Sequence, residues 1–329
     1  MCIAKVLLDE LDNIPFVQSD EIYWTLKQLV KMRVSIVENN IENKNKFHAQ
    51  IMHHYPNYKK LFSCTYSNTS LEFFKNYPSP NLLKNISLMD LTNFLTIHSK
   101  GRFTHKKANE ILELIQENDI CNQSYQSERN VIITLLINQI QNNETKLIEI
   151  ENEIIKVYDK IGCTLHTYPC LDKISASYIL AEIGNINRFI SSAKLAKYAG
   201  IAPIERSSGS IEKGLKNEFG NRDLNTFIYK LACRSLLTGR YKDKPFNAIF
   251  LDYYNKKISE GKTKHQAIIC VMRRITNILY TMLKNNIDYV HPQELSNQCT
   301  KNYLENKARE EEKQKKKQAK KKEKSLLYQ

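Results

Sequence analysis

Residues 168–235 read YPCLDKISASYILAEIGNINRFISSAKLAKYAGIAPIERSSGSIEKGLKNEFGNRDLNTFIYKLACRS, and this stretch decides the architecture. Ile174 to Ile183 is a short apolar helix closed by Gly184, and Ser192 to Tyr198 is a second one stopped by Gly200. Two short helices joined by tight turns make a compact unit of helix–hairpin–helix type. A polar loop, Ile201–Gly220, follows, and a longer helix is predicted from about Asn221 to Leu237. The loop carries RSSGS, and cations border it on both sides. Such a segment is poor core material but suits a phosphodiester backbone.

Working outward, the rest of the chain reads as helix. Asp20 and Glu21 follow Ser19 at a helix start, and Ile22, Leu26, Leu29, Val30, Val34, Val37, Ile41, Phe47 and Ile51 recur at helical spacing up to Pro56. Residues 63–85, rich in Ser, Asn, Tyr and Pro, read as a loop, followed by short helices near 87–98 and 104–117. A second long helix spans about 126–161, where Ile133, Ile137, Ile140, Leu147, Ile150, Ile154 and Val157 step by three and four with Glu144 in the seam. It is either a partner in a coiled-coil hairpin, a dimerisation helix or an ordinary core helix. Two more helices are predicted near 246–259 and 263–285. The expected fold is mainly α: long antiparallel coiled-coil-like helices followed by a compact helical DNA-binding domain. Its divisions are 1–62, 63–163, 164–288 and a basic low-complexity tail, 289–329.

Composition narrows the function. With 9 Gly and 8 Pro in 329 residues, the chain lacks the turn density of an all-β protein. The net charge of +14 favours a polyanionic partner, nucleic acid ahead of a membrane surface. Six of those charges sit between Lys307 and Lys324, where ten basic residues face four glutamates; eight remain on the rest of the chain. The 8 cysteines show no CxxC and no zinc-ligand spacing, so they read as reduced thiols of a cytoplasmic protein. No apolar run approaches the ~20 residues of a membrane span, and P-loop, zinc-protease and dinucleotide-binding motifs are lacking.

The run from Tyr168 to Gly184, then RF at 188–189 and KLAKYAGIAP ending at Pro203, resembles the C-terminal domain of the DEDD-type insertion-sequence transposases, a family that includes the Piv-type DNA invertases. RSSGSIEKG (206–214), FGNRDLNTFIYKLA (219–232) and HQAIICVMRRITNILYTMLKNN (265–286) continue the match in order, and residues 24–56 resemble the helix that follows the family's catalytic domain. The resemblance implies a transposase that cuts and rejoins DNA through a serine nucleophile, localised with the nucleoid. It also implies homo-oligomers through the long helices and, for some members, a guide RNA.

Two departures stand out. The family binds magnesium through four acidic residues of an N-terminal domain ending in a T-D-x-x-D-A-like motif. Here Met1–Leu7 starts inside that motif with Ile3 in place of the last aspartate, so the metal ligands are expected to be absent and the chain inactive alone. Cys170 and Asp172 also replace glycines usual in the first turn, where a carboxylate would repel phosphate.

By position in the resemblance, the nucleophile is Ser208, with Ser207 and Ser210 as near alternatives. Arg206, Lys213, Lys216, Asn221 and Arg222, with Lys173 on the preceding helix, are the expected DNA contacts, since Lys and Arg displace counterions and helix starts attract phosphate. Arg273 and Arg274 stand on an otherwise apolar helix, facing DNA or paired with an acid. Lys100, Arg102, Lys106 and Lys107 form a second basic patch that reads as a solvated helix start. The other reading of the whole chain is a non-catalytic nucleic-acid-binding helical protein.

Overall fold

The computed structural model describes residues 20–116, 124–202, 204–208, 211–215, 220–237 and 247–290, the strands 204–208 and 211–215 by their backbone. It is mainly helical. Eleven α-helices stand among the described residues, and the chain divides into two compact units, Met1–Val30 with Glu153–Gln329, and Lys31–Asn152. Both boundaries fall inside long helices, α1 (Glu21–His54) and α6 (Gln126–Ile161).

In the unit 31–152, α1 and α6 run antiparallel, as their cross-contacts show. His54 meets Gln126 at 3.3 Å, Lys44 meets Glu144 at 3.2 Å, and Arg33 meets Glu151 at 2.8 Å. Asn40, Asn43 and Asn143 are buried, and Asn39 Oδ1 accepts hydrogen bonds from the side-chain amides of Asn43 and Asn143 at 3.0 and 2.8 Å. Polar groups inside an apolar stripe fix helix register at a cost in stability. Beyond them an aromatic core gathers Phe47, Tyr55, Phe62, Phe73 and Phe74, with Phe73 and Phe74 edge to face at 5.3 Å.

The loop expected over 63–85 is largely helical. It holds α3 (Asn68–Asn76), capped by Ser67, and a 3-10 turn at Pro80–Leu83, after the single-turn α2 (Tyr58–Leu61). Short polar-flanked helices carry too few apolar repeats to show a period, and Leu71, Phe73 and Phe74 are helical because the core takes them. Helices α4 (Leu88–His98) and α5 (His105–Gln116) pack on each other over this core.

The other unit is built around α7 (Lys173–Ile183), buried continuously from Ala176 to Ile183. A helix covered on all sides needs mostly apolar residues all round, and ISASYILAEI supplies them except at Ser175, Ser177 and the single charge, Glu182. A 3-10 turn, Ile186–Arg188, leads to α8 (Ser192–Tyr198). Helices α9 (Arg222–Leu236), α10 (Ala248–Ser259) and α11 (Lys264–Asn285) then close the unit, with α11 packed on α8, α9 and α10, and α9 also on α7. Thr263 and Gln266 form a capping box at the start of α11, and Asn286 ends it in the left-handed region.

One expectation needs correction here. Part of the loop predicted over 201–220 is a β-hairpin: β1 (Ile204–Ser208) pairs antiparallel with β2 (Ile211–Leu215). Only Gly209 and Ser210 separate the strands in sequence, a dipeptide of two-residue hairpin type, and Ile204, Ile211 and Leu215 supply strand-forming apolar positions.

Candidate nucleic-acid-binding site

The hairpin is anchored where α8 ends and α9 begins. A Cβ placed on Gly220 would lie 2.3 Å from both the Cα and the N of Gly200, so the two backbones touch and only glycine fits. Gly200 itself has φ +69°, the left-handed region. Beside them Asn221 N–H donates to Tyr198 O at 2.7 Å, and Asn225 Nδ2 donates to Ala199 O at 2.8 Å. These contacts bring residues 200 and 220 together, at the two ends of the stretch that contains the hairpin.

Behind the anchor sits a charge that the sequence reading did not single out. Glu182, 9% exposed, accepts from Lys27 Nζ at 3.0 Å and from Asn221 Nδ2 at 2.7 Å. Its carbonyl accepts from Tyr198 OH at 3.3 Å and Arg188 Nη2 at 3.4 Å. The guanidinium of Arg188 is 4.6 Å from the rings of both Phe189 and Tyr198. Through its carboxylate and its backbone carbonyl, Glu182 thus ties together α1, α7, α8 and the start of α9. A glutamate inside the apolar run ILAEIG was the available signal, because a charge there is either paired or absent.

The six expected contact residues fall into four groups. Arg206 and Lys213 are opposite one another in the hairpin register, while Ser208 faces Ile211 at the end of β1. Arg222 is exposed at the first turn of α9. Asn221 is committed elsewhere: its Oδ1 caps α9 by accepting from Leu224 N–H at 2.8 Å, and its amide serves Glu182 and Tyr198. Lys173 is likewise engaged, with Nζ 2.8 and 3.0 Å from the carboxylate oxygens of Asp159, so it reaches a phosphate only by leaving that exposed pair. Lys216 and the alternative Ser210 lie outside the described residues.

In the turn before α7, Cys170 has φ +71°, a conformation glycine adopts freely and cysteine adopts at a cost of about 1 kcal/mol. Asp172 caps α7, accepting from Ser175 N–H at 2.7 Å. Burial pushes the Asp172 carboxyl up, but the Ser175 hydrogen bonds and the nearby Arg234 outweigh it and hold it below the usual carboxylate range. The carboxylate occupies the helix start that a phosphate would use. Lys107 of the second basic patch pairs with Glu110 at 3.1 Å.

With this geometry in place, comparison with known proteins gives a consistent answer. Residues 163–248 match the Transposase IS116/IS110/IS902 family. The matched segment runs from just after α6 to the start of α10 and so holds α7, α8, the hairpin and α9. The chain is also 21% identical to the IS116 uncharacterized 44.8 kDa protein of Streptomyces clavuligerus over 289 residues, which is 86% of this chain and 70% of that protein. It is 31% identical over 142 residues to the pilin gene-inverting protein of Moraxella bovis, covering 40% of this chain and 42% of that one. Against the IS900 uncharacterized 42 kDa protein of Mycobacterium paratuberculosis the identity is 32% over 119 residues, covering 36% and 28%. The matches therefore span less than half of the inverting protein and under a third of the IS900 protein.

No three His, Cys, Asp or Glu side chains gather to hold an ion among the described residues. Nor is any described helix long and apolar enough to cross a membrane.

Proposed function

We propose that this chain is the DNA-binding portion of an insertion-sequence transposase of the DEDD type, with Ser208 as the residue that becomes joined to DNA. The observation that carries the reading is the hairpin register. It puts two cation-bearing positions, Arg206 and Lys213, directly opposite, two rungs from the Ser208–Ile211 pair. Like charges at opposed strand positions cost stability unless an anion lies with them, and a DNA phosphate is such an anion. The similarity of the chain, over 142 residues, to a pilin gene-inverting protein supports DNA as the partner.

In the proposed step the Ser208 oxygen attacks a backbone phosphorus. The new O–P bond forms as the bond to one sugar oxygen breaks, and the serine proton ends on that departing oxygen. Attack by another strand's hydroxyl would reverse the step and join the strands. Arg206 and Lys213 offset the extra negative charge of the five-coordinate phosphorus. We also propose that this chain by itself binds DNA without recombining it. Exposed Val131, Ile132 and Leu135 on α6 support assembly with a further copy.

The test is a strand-transfer assay together with a DNA-binding assay. Alone with magnesium, the chain should shift DNA and yield no joined product; robust joining overturns the expected inactivity. Combined with a full-length relative able to recombine the same element ends, it should yield a phosphoserine–DNA adduct that maps to position 208. Ser208→Ala should remove the adduct while leaving the DNA shift unchanged. An adduct surviving in Ser208→Ala and vanishing in Ser207→Ala or Ser210→Ala would move the nucleophile. No adduct in any mixture would favour pure nucleic-acid binding.

A further inference from the structure

A second feature of the same unit is unexplained by the hairpin. Between α10, α11 and the residues leading into β1 lies an open cavity of about 860 Å³. Ile201, Phe250, Tyr253 and Ile278 give it apolar and aromatic walls, and Arg273 and Arg274 enter it from successive positions of α11. None of the described residues lining it is acidic. The Nη1 of Arg273 is sequestered from solvent with no hydrogen-bond partner. Leaving a guanidinium nitrogen dry and unpaired is costly, so its presence argues for an anionic partner. The Arg274 guanidinium carbon lies over the Tyr253 ring, 3.8 Å from its centre, and Arg274 is exposed, so a second flat group can lie against it.

Flat, apolar on its faces and tied to an anion is the description of one nucleotide. We propose that this cavity receives a single unstacked nucleotide of the DNA strand engaged by the hairpin, its base against Arg274 and Phe250 and its phosphate on Arg273. The proposal rests on the hairpin reading above and extends it. Placement supports it: Ile201 and Ala202 form part of the wall, and β1 begins at Ile204. The four residue steps from Ile204 to Ser208 cover about 13 Å at ~3.3 Å each. That is about four stacked nucleotides at ~3.4 Å. A base a few positions from the phosphate at Ser208 can therefore be drawn into the cavity. A pocket of this kind would favour sites that are mispaired, single-stranded or easily unstacked, because the cost of extruding a base is lowest there.

The experiment uses the full chain and short DNA substrates. Single-stranded oligodeoxynucleotides carrying one 5-iododeoxyuridine are irradiated on the protein, and the crosslinked peptide is mapped. A crosslink at Phe250 or Tyr253 is the expected result; crosslinks confined to other segments overturn the proposal. In parallel, Arg273→Gln and the cavity-filling Ile278→Trp, each checked for an unchanged melting curve, should weaken single-stranded DNA binding about tenfold. Fully paired duplex should lose less than about twofold, since phosphate contacts dominate its affinity. Unchanged single-strand affinity in both variants sinks the pocket while the hairpin reading stands. Failure of the wild-type chain to bind either form of DNA sinks both. An effect seen only with oligoribonucleotides also overturns the assignment to DNA. Should either variant unfold, the crosslink map of the wild-type chain decides.

Discussion

Gly220 and Asp172 show how single atoms set up the site. At Gly220 the neighbour that an added Cβ would meet is the backbone of Gly200, at 2.3 Å, and backbone cannot swing aside as a side chain can. Gly220→Ala should therefore separate the ends of α8 and α9 and cost about 3 kcal/mol, read as a fall in melting temperature. DNA affinity should fall with it, because the hairpin loses its base; full stability in the alanine variant would refute the close approach. Asp172 makes a pH prediction. Its carboxyl is held below the usual carboxylate range when folded, so its contribution is complete above the unfolded value of ~3.9 and disappears as the pH drops through the folded one. Asp172→Ala should cost about 1 kcal/mol at neutral pH, and the gap to wild type should close in acid. A gap that stays constant from neutral pH to well below ~3.9 would show that the charge is not what caps α7.

Helices and strands differed in how plainly the sequence announced them. The long helices were readable because thirty or more residues repeat one period: α1 and α6 are 34 and 36 residues long. Helices α7 and α8 were marked by their terminal glycines, Gly184 on one and Gly200 on the other. The hairpin escaped because each strand has only five residues and their alternation is diluted by the serines and charges of the loop. The anchor was half visible. Asn221 was singled out for its position before a helix, but its bonds to Glu182 and Tyr198 join segments remote in sequence, and no local pattern encodes such a pairing. The register of α1 against α6 was equally hidden, since it depends on buried asparagines rather than on the apolar stripe. Asn40 is the clearest of these, 6% exposed with its Oδ1 lacking a hydrogen-bond partner. Asn40→Leu should remove that penalty and raise the urea midpoint, a gain of about 1 kcal/mol for the unit it occupies. Loss of stability instead would mean that the amide has a partner worth keeping.

Charge is the property on which the proposed DNA binding rests, and its distribution can be measured. Of the net +14, six charges belong to the stretch 307–324 and eight to the remainder, so a salt-dependent affinity could come from either source. The two sources respond differently to mutation. A low-complexity basic stretch binds any polyanion, whereas in the proposed reading the cations of the hairpin and of the start of α9 meet phosphates in a set geometry. The logarithm of the binding constant should fall linearly with the logarithm of salt concentration, losing about 0.9 of slope for each phosphate contact removed. Arg206→Gln, Lys213→Gln and Arg222→Gln should each flatten the slope by about that amount and weaken binding to all duplex sequences alike. Exchanging the ten basic residues of 307–324 for glutamine should lower the affinity for every polyanion, heparin included, yet leave those three differences in place. If that exchange instead abolishes the salt dependence, the hairpin carries no phosphate contact. The opposed cations of Arg206 and Lys213 would then have to be balanced by this chain's own acids.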